Sequence, residues 1–439
     1  MNYEFRRKLL ATLAKLLESN ESAILDALFL DLRKNPQEAY ASELGFVAAE
    51  IRHAMSKLRS WMKPEVRRTP WMAWPAKSAI RPQPYGVVLI IGPWNYPLAL
   101  LLSPLVGAIA AGNCAVLKPS EFAPHTSELL TRLIGEAFPH DVIAIVPGGR
   151  EISEELLEMS FDKIFFTGST EIGRKVMQAA AQKLTPVILE LGGKCPCIVC
   201  DDAPLEIAAR RIVWGKFLNA GQTCVAPDYV LVDARIREKF IDVLKITIKQ
   251  FFGENPKQST DYGRIINARH FARIAAYLTE GEIIYGGEKD ESDLFLSPTL
   301  LMPNEENASV MREEVFGPIL PIVAFSDLND VLKKWQNLPK PLALYLFTCD
   351  KEIQERVLAN TQSGGVCIND TVMQILGRDL PFGGVGESGM GQYHGKASFD
   401  CFSHPRTVMI RSTAFDPAFR YPPMKTSLAA LKRILRYFG

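Results

Sequence analysis

Cysteine and histidine are scarce here, at 8 and 6 of 439 residues. Eight cysteines over this length are too sparse for a disulfide scaffold, which points to a reducing compartment. His53, His125, His140, His270, His394 and His404 form no H-x-x-x-H pair and no ligand cluster, so no metal is expected. Charge of one sign is also missing, since 50 Lys plus Arg against 49 Asp plus Glu leave a formal +1. No global field gathers phosphate backbones, which argues against nucleic acid. No secretory leader, internal repeat or low-complexity tract is found, and a cytoplasmic location is expected.

What is present is ordinary globular composition: 47% hydrophobic, 23% charged, with 30 Gly and 29 Pro. That is enough apolar material for two large cores. Leu9, Leu10, Leu13, Leu16 and Leu17 form one stripe of an opening amphipathic helix, with Arg6, Arg7, Lys8 and Lys15 off it. Between Arg81 and Lys118 lie 36 uncharged residues, longer than the ~20 that span a bilayer. Gly86, Gly92, Pro93, Pro97 and Pro104 interrupt the run. It reads as core: a strand Val87 to Ile91, a loop, a helix 98–111 and a strand Ala115 to Leu117. Further strands at Val142 to Val146 and Lys163 to Phe166 alternate with helical stretches, which predicts a parallel sheet covered on both faces. After Gly192 a second series begins with Ile198 to Cys200, Leu205 to Phe217, Tyr229 to Val232 and Ile236 to Phe251. The fold class expected is α/β, with two doubly wound domains.

Several stretches carry chemistry. The strand ending at Phe166 runs into Gly168, Ser169, Thr170 and Gly173 before a helix Arg174 to Gln182, a turn whose backbone can approach a pyrophosphate. The middle glycine of the dinucleotide fingerprint is absent, so this turn alone is a weak signal. Glu190, at the end of an apolar strand, has three readings: a ribose ligand, a general base with a pKa raised by burial, or an ion pair with Lys194. Cys224 lies in a glycine-bearing loop between helix and strand, where backbone N–H groups can stabilise a thiolate or an oxyanion. Asn95 follows a buried strand and offers two amide N–H donors; a turn-capping role is the alternative.

Glu190 within L-E-L-G-G-K, Cys224 within N-A-G-Q-T-C, Asn95 within P-W-N-Y-P and the run Glu313 to Pro318 together resemble the aldehyde dehydrogenase superfamily. The closing segment Leu380 to Ser403, with Cys367 to Asp370, is similar to its class 3 branch. The resemblance implies that Cys224 attacks the aldehyde carbon and that Asn95 and the Cys224 N–H hold the oxyanion. It also implies that Glu190 activates the water that hydrolyses the thioester, which sets the ribose reading aside. NAD or NADP is implied, with Glu314 and Phe316 at the nicotinamide, Lys118 and Glu121 at the adenosine ribose, and Gly168, Ser169, Thr170 and Gly173 around the pyrophosphate.

The same resemblance implies a cofactor-binding domain over 1–64 and 86–188, a catalytic domain over 189–395, and an oligomerisation element with tail over 65–85 and 396–439. A homodimer with a small-molecule aldehyde substrate follows from it. Trp94 and Tyr96 near the site favour an aliphatic or aromatic aldehyde. A thioester passed to a thiol carrier or an acyl phosphate, or a silent protein on the same fold, are the alternatives. Cys195, Cys197 and Cys200 read as buried structural thiols, with residues 197 and 200 on opposite strand faces. The tail stripe Leu428, Leu431, Ile434, Leu435 and Phe438, flanked by Lys425, Lys432, Arg433 and Arg436, is too short to span a membrane. It is expected to dock on the protein's own surface, with weak contact to an anionic membrane as the alternative.

Overall fold

A computed structural model describes residues 1–416, 420–424 and 426–438, apart from the side chains of Ile434, Tyr437 and Phe438. The Lys425, Ile434 and Phe438 side chains of the expected tail stripe therefore lie outside the described residues. The uncharged run folds as strand Val87–Ile91, helix Ala99–Ala111 and strand Cys114–Lys118. No described helix is long and apolar enough to cross a membrane.

The first sheet has six strands in the order Gly389–Met390, Val187–Glu190, Lys163–Thr167, Val87–Ile91, Cys114–Lys118, Ile143–Ile145. Five run parallel, and Gly389–Met390 adds antiparallel at the edge. Successive side chains of Lys163–Thr167 alternate between two cores, Phe165 joining one and Ile164 with Phe166 the other. A strand buried on both faces reads as a continuous apolar run, which is why these segments are legible.

The second sheet has seven strands in the order Gly281–Tyr285, Thr299–Pro303, Ile319–Phe325, Tyr229–Asp233, Pro196–Val199, Ala343–Phe347, Gly365–Ile368. All are parallel except the first. Cys195 and Cys197 pack on one face, in the core of helix Leu205–Phe217, and Cys200 packs on the other with Leu332 and Trp335. The third sheet is small and antiparallel: Glu65–Arg67, Ala76–Pro84 and Ser403–Arg411.

Four expectations need correction. Arg6 is buried, because its guanidinium donates to Ala110 O at 2.9 Å and to Met1 O at 3.0 Å. The helix after Gly168 runs Thr170–Ala181, four residues earlier than expected, because Ser169 accepts from Ile172 N and caps it. The 188/189 boundary cuts strand Val187–Glu190, and Gly389–Met390 belongs to the first sheet although its sequence neighbours follow the second. Finally, on the tail helix Leu428–Phe438, expected to dock on the protein's own surface, the described side chains Leu428, Leu431 and Leu435 stand exposed.

Candidate active site

Asn95 follows the carboxyl end of strand Val87–Ile91 in the first sheet. Glu190 ends strand Val187–Glu190, separated from that strand by Lys163–Thr167; it is in register with Thr167, and its carbonyl accepts from Gly168 N at 3.0 Å. Cys224 comes from the second half of the chain, after the turn Leu218–Gly221. That turn is held in the left-handed region at Asn219, Ala220 and Gly221, with φ of 51°, 50° and 76°. A Cβ on Gly221 would come within 2.2 Å of Gly317 O, so only glycine lets the loop pass.

Asn95, Glu190 and Cys224 line one cavity of about 430 Å³, together with Gly168, Ser169, Glu314 and Phe316. Such a crevice at the carboxyl ends of a parallel sheet is where dinucleotides bind. Cys224 also lines a narrow apolar cavity with Phe46, Tyr96, Leu100, Leu218 and Val372. That cavity shares Ala41, Ser42, Leu218 and Ile375 with a broader one of about 640 Å³. Cys224 thus borders two cavities, one that also holds the polar side chains of Asn95, Glu190 and Glu314 and one almost wholly apolar. Trp94 is on the polar side, packed against His270 at 4.9 Å and Phe316 at 5.4 Å, and so does not line the apolar approach.

Burial pushes the Cys224 thiol up to about 12, with help from the charges of Glu314 and Glu190, while the N–H groups of Cys224 and Val225 pull the other way. Burial likewise raises Glu190 well above the usual carboxyl range, and neither of its oxygens has a hydrogen-bond partner among the described residues. The ion pair with Lys194 does not form. Lys194 is paired with Asp228 and donates to Val310 O at 2.7 Å. Asn95 spends one amide N–H on Gln222 O at 3.0 Å, leaving the second for the cavity.

Four expected cofactor residues stand off the cavity lining. Lys118 and Glu121 pair with each other at 2.9 Å. Thr170 donates to Glu387 O at 3.1 Å, and Gly173 packs under Leu191, where a Cβ would come within 2.5 Å of its Cδ2. The cavity nonetheless fits a dinucleotide. A helix N-terminus opens onto it at Ser169, and Gly168 is where a Cβ would strike Phe166 at 2.6 Å, so backbone alone faces the space. Phe316 holds a left-handed φ of 46° at the other end.

Sequence reasoning missed Arg273, His270, Phe382 and Tyr393, all on this lining. Arg273 anchors the Glu314 loop by donating to Val315 O at 2.9 Å. Burial and the Arg273 charge hold His270 down to about 4, so it is neutral. Phe382 and Tyr393 lie in the segment 380–403, whose residues pair back on each other; only its glycine-rich pattern signalled it.

The aldehyde dehydrogenase family model matches residues 1–408. The human aldehyde dehydrogenase family 3 member B1 is 47% identical over 424 residues, covering 96% of this chain and 90% of that one. A dimeric, NADP-preferring aldehyde dehydrogenase of Canis lupus familiaris is 44% identical over 433 residues, covering 98% and 95%. The substrate-bound state of Staphylococcus aureus AldH superposes with a TM-score of 0.97 at 44% identity, covering 100% of this chain and 95% of that chain.

Proposed function

Because the chain belongs to the aldehyde dehydrogenase family, we propose that Cys224 is its nucleophile, Asn95 an oxyanion donor and Glu190 the base that activates water. The protein is an oxidoreductase that oxidises an aldehyde with NAD or NADP. The observation that carries the assignment is that Cys224 stands between the two cavities, with Glu190 and Asn95 on the polar one.

The apolar cavity brings an aliphatic or aromatic aldehyde to the sulfur. Cys224 gives its proton to water in the cavity as its sulfur bonds the carbonyl carbon, giving a thiohemiacetal whose oxygen receives the free Asn95 N–H and the Cys224 N–H. When bound, the nicotinamide supplies the acceptor for the hydride that leaves this carbon. A thioester on Cys224 remains. Glu190 in its ionised form, made more basic by burial, takes a proton from water as the water oxygen bonds the thioester carbon, and the acid leaves with the sulfur freed. Glu314, Phe316, Gly168 and Ser169 would hold the dinucleotide at the lining, with Thr170 and Gly173 shaping the turn and Lys118 with Glu121 at the adenosine ribose.

The domain division given above is part of this proposal, with the first boundary moved past Glu190. We further propose a homodimer formed through the small sheet, supported by exposed Val66, Trp74, Met409 and Ile410, and weak contact of the tail helix with anionic membrane. A cytoplasmic location is proposed on the eight cysteines, all free thiols.

The test is a panel of aldehydes with each cofactor, following absorbance of the reduced nicotinamide. Turnover without coenzyme A, favouring apolar aldehydes and lost by more than about 1000-fold in Cys224→Ser, is expected. Stoichiometric consumption of coenzyme A would replace hydrolysis with thiol transfer, and full activity in Cys224→Ser would end the assignment.

A further inference from the structure

Lys34 and Glu43 are both completely buried and paired at 2.6 Å. Burying an ion pair seldom adds stability, because desolvation of the two charges offsets their attraction. The use of this pair is therefore sought in what it touches. The Lys34 ammonium also donates to Asn95 O at 2.8 Å and lies 3.9 Å from the centre of the Tyr96 ring. The second oxygen of Glu43 accepts from Leu98 N at 2.9 Å and Ala99 N at 3.3 Å, the amides that open helix Ala99–Ala111. One ion pair thus grips the 92–98 loop on both sides of its turn.

The Asn95 carbonyl receives a second donor, Asn219 Nδ2 at 2.8 Å, from the turn that presents Cys224. Asn219 N in turn donates to Glu38 at 2.9 Å, on the same segment as Lys34 and Glu43. Tyr96 completes the tie, its hydroxyl 2.6 Å from Thr223 Oγ1, beside the nucleophile. The peptide plane at Asn95 sets where its Cα–Cβ bond points, and so where its free amide N–H is aimed.

We propose that Lys34, balanced by Glu43, is a positioning residue for the oxyanion hole: by clamping the Asn95 carbonyl against the Cys224 turn it aims the Asn95 amide at the reacting carbonyl oxygen. This rests on the oxyanion role proposed for Asn95. An ammonium suits the task, since its three donors serve Glu43, the carbonyl and the ring face together.

The experiment is a double-mutant cycle on the full chain. Lys34→Met is combined with Glu43→Gln, so that no unpaired charge is left buried, and the pair is made alone and with Asn95→Ala. Asn95→Ala alone is expected to lower kcat by about 100-fold or more, as loss of an oxyanion donor does. The paired change is expected to lower kcat by about 30- to 100-fold, as a misplacement of about 1 Å does. KM for the aldehyde, cofactor binding by nicotinamide fluorescence and the melting temperature should stay near those of the parent. In the Asn95→Ala background the paired change should cost less than about twofold, because its target is gone. Should the paired variant not fold, Lys34→Gln with Glu43→Gln, which keeps polar groups of similar size and again leaves no unpaired charge, is carried through the same cycle with the same reading. Additive losses, or unchanged kcat in the folded Lys34 variant, overturn the positioning role while leaving Asn95 in place; full activity in Asn95→Ala overturns the oxyanion reading itself.

Discussion

Glu190 is a carboxyl group held in a wall of apolar side chains at the end of a strand, with no protein partner for either oxygen among the described residues. Burial raises its folded pKa, so between the ordinary carboxyl range and that raised value the folded chain keeps a proton that the unfolded chain has lost. Stability is therefore lost as pH rises through this window. Glu190→Gln removes the titration. Its melting temperature should exceed the parent's at neutral pH and converge with it below about pH 3, where both states of the parent are protonated. The same change should leave the first burst of reduced nicotinamide intact while slowing steady turnover by about 100- to 10,000-fold. A variant no more stable at pH 7, or one lacking the burst, would contradict the burial account or the water-activating role respectively. Glu190, Cys224 and Asn95 stood out as candidates because each is a polar residue where an apolar strand ends or in a glycine-bearing loop, and their proposed roles came from the resemblance of the motifs around them. Arg273, on helix Ala268–Ala276, and Lys34, in the link after helix Glu21–Leu32, did not, since a lone cation has no pattern that separates it from a solvated one.

Elements buried on two faces declared themselves through unbroken apolar runs, and helix Leu205–Phe217 falls on the residues expected. Elements placed by long-range pairing did not. Gly389–Met390 is two residues long and exists only because Val187–Glu190 offers it an edge. The tail helix is the opposite case, since its periodicity is plain but its described leucines stand exposed. With Leu428, Leu431 and Leu435 exposed beside Lys432, Arg433 and Arg436, it should bind anionic vesicles weakly, each basic residue near such a surface being worth about 1 kcal/mol. Co-sedimentation with phosphatidylserine vesicles should exceed that with neutral ones, and Leu431→Glu with Leu435→Glu should abolish it. Equal pelleting with both lipids would remove the electrostatic part, and none with either would remove the contact.

At the scale of the whole molecule, the two large sheets are closed by helices, but the small one is not. Ser403–Arg411 is one of its two edge strands and exposes Met409 and Ile410, at 54% and 61%. Open edges and apolar faces of this kind are covered in stable proteins. A second copy pairing here would cover both. Sedimentation equilibrium should give a dimer for the parent and a shift to monomer for Ile410→Lys, in which a charge would have to be buried at the interface. A monomeric parent would refute this arrangement.

The residues by themselves determined the two-sheet α/β plan, because burial on both faces of a strand and the breaks that glycine and proline impose are local properties, and the motif resemblance supplied the three groups proposed to react. Only the tertiary structure decided which groups meet. The buried Lys34–Glu43 clamp, the two cavities bordering Cys224 and the return of segment 380–403 to the Glu190 strand depend on contacts between residues far apart in sequence. No local pattern records such contacts.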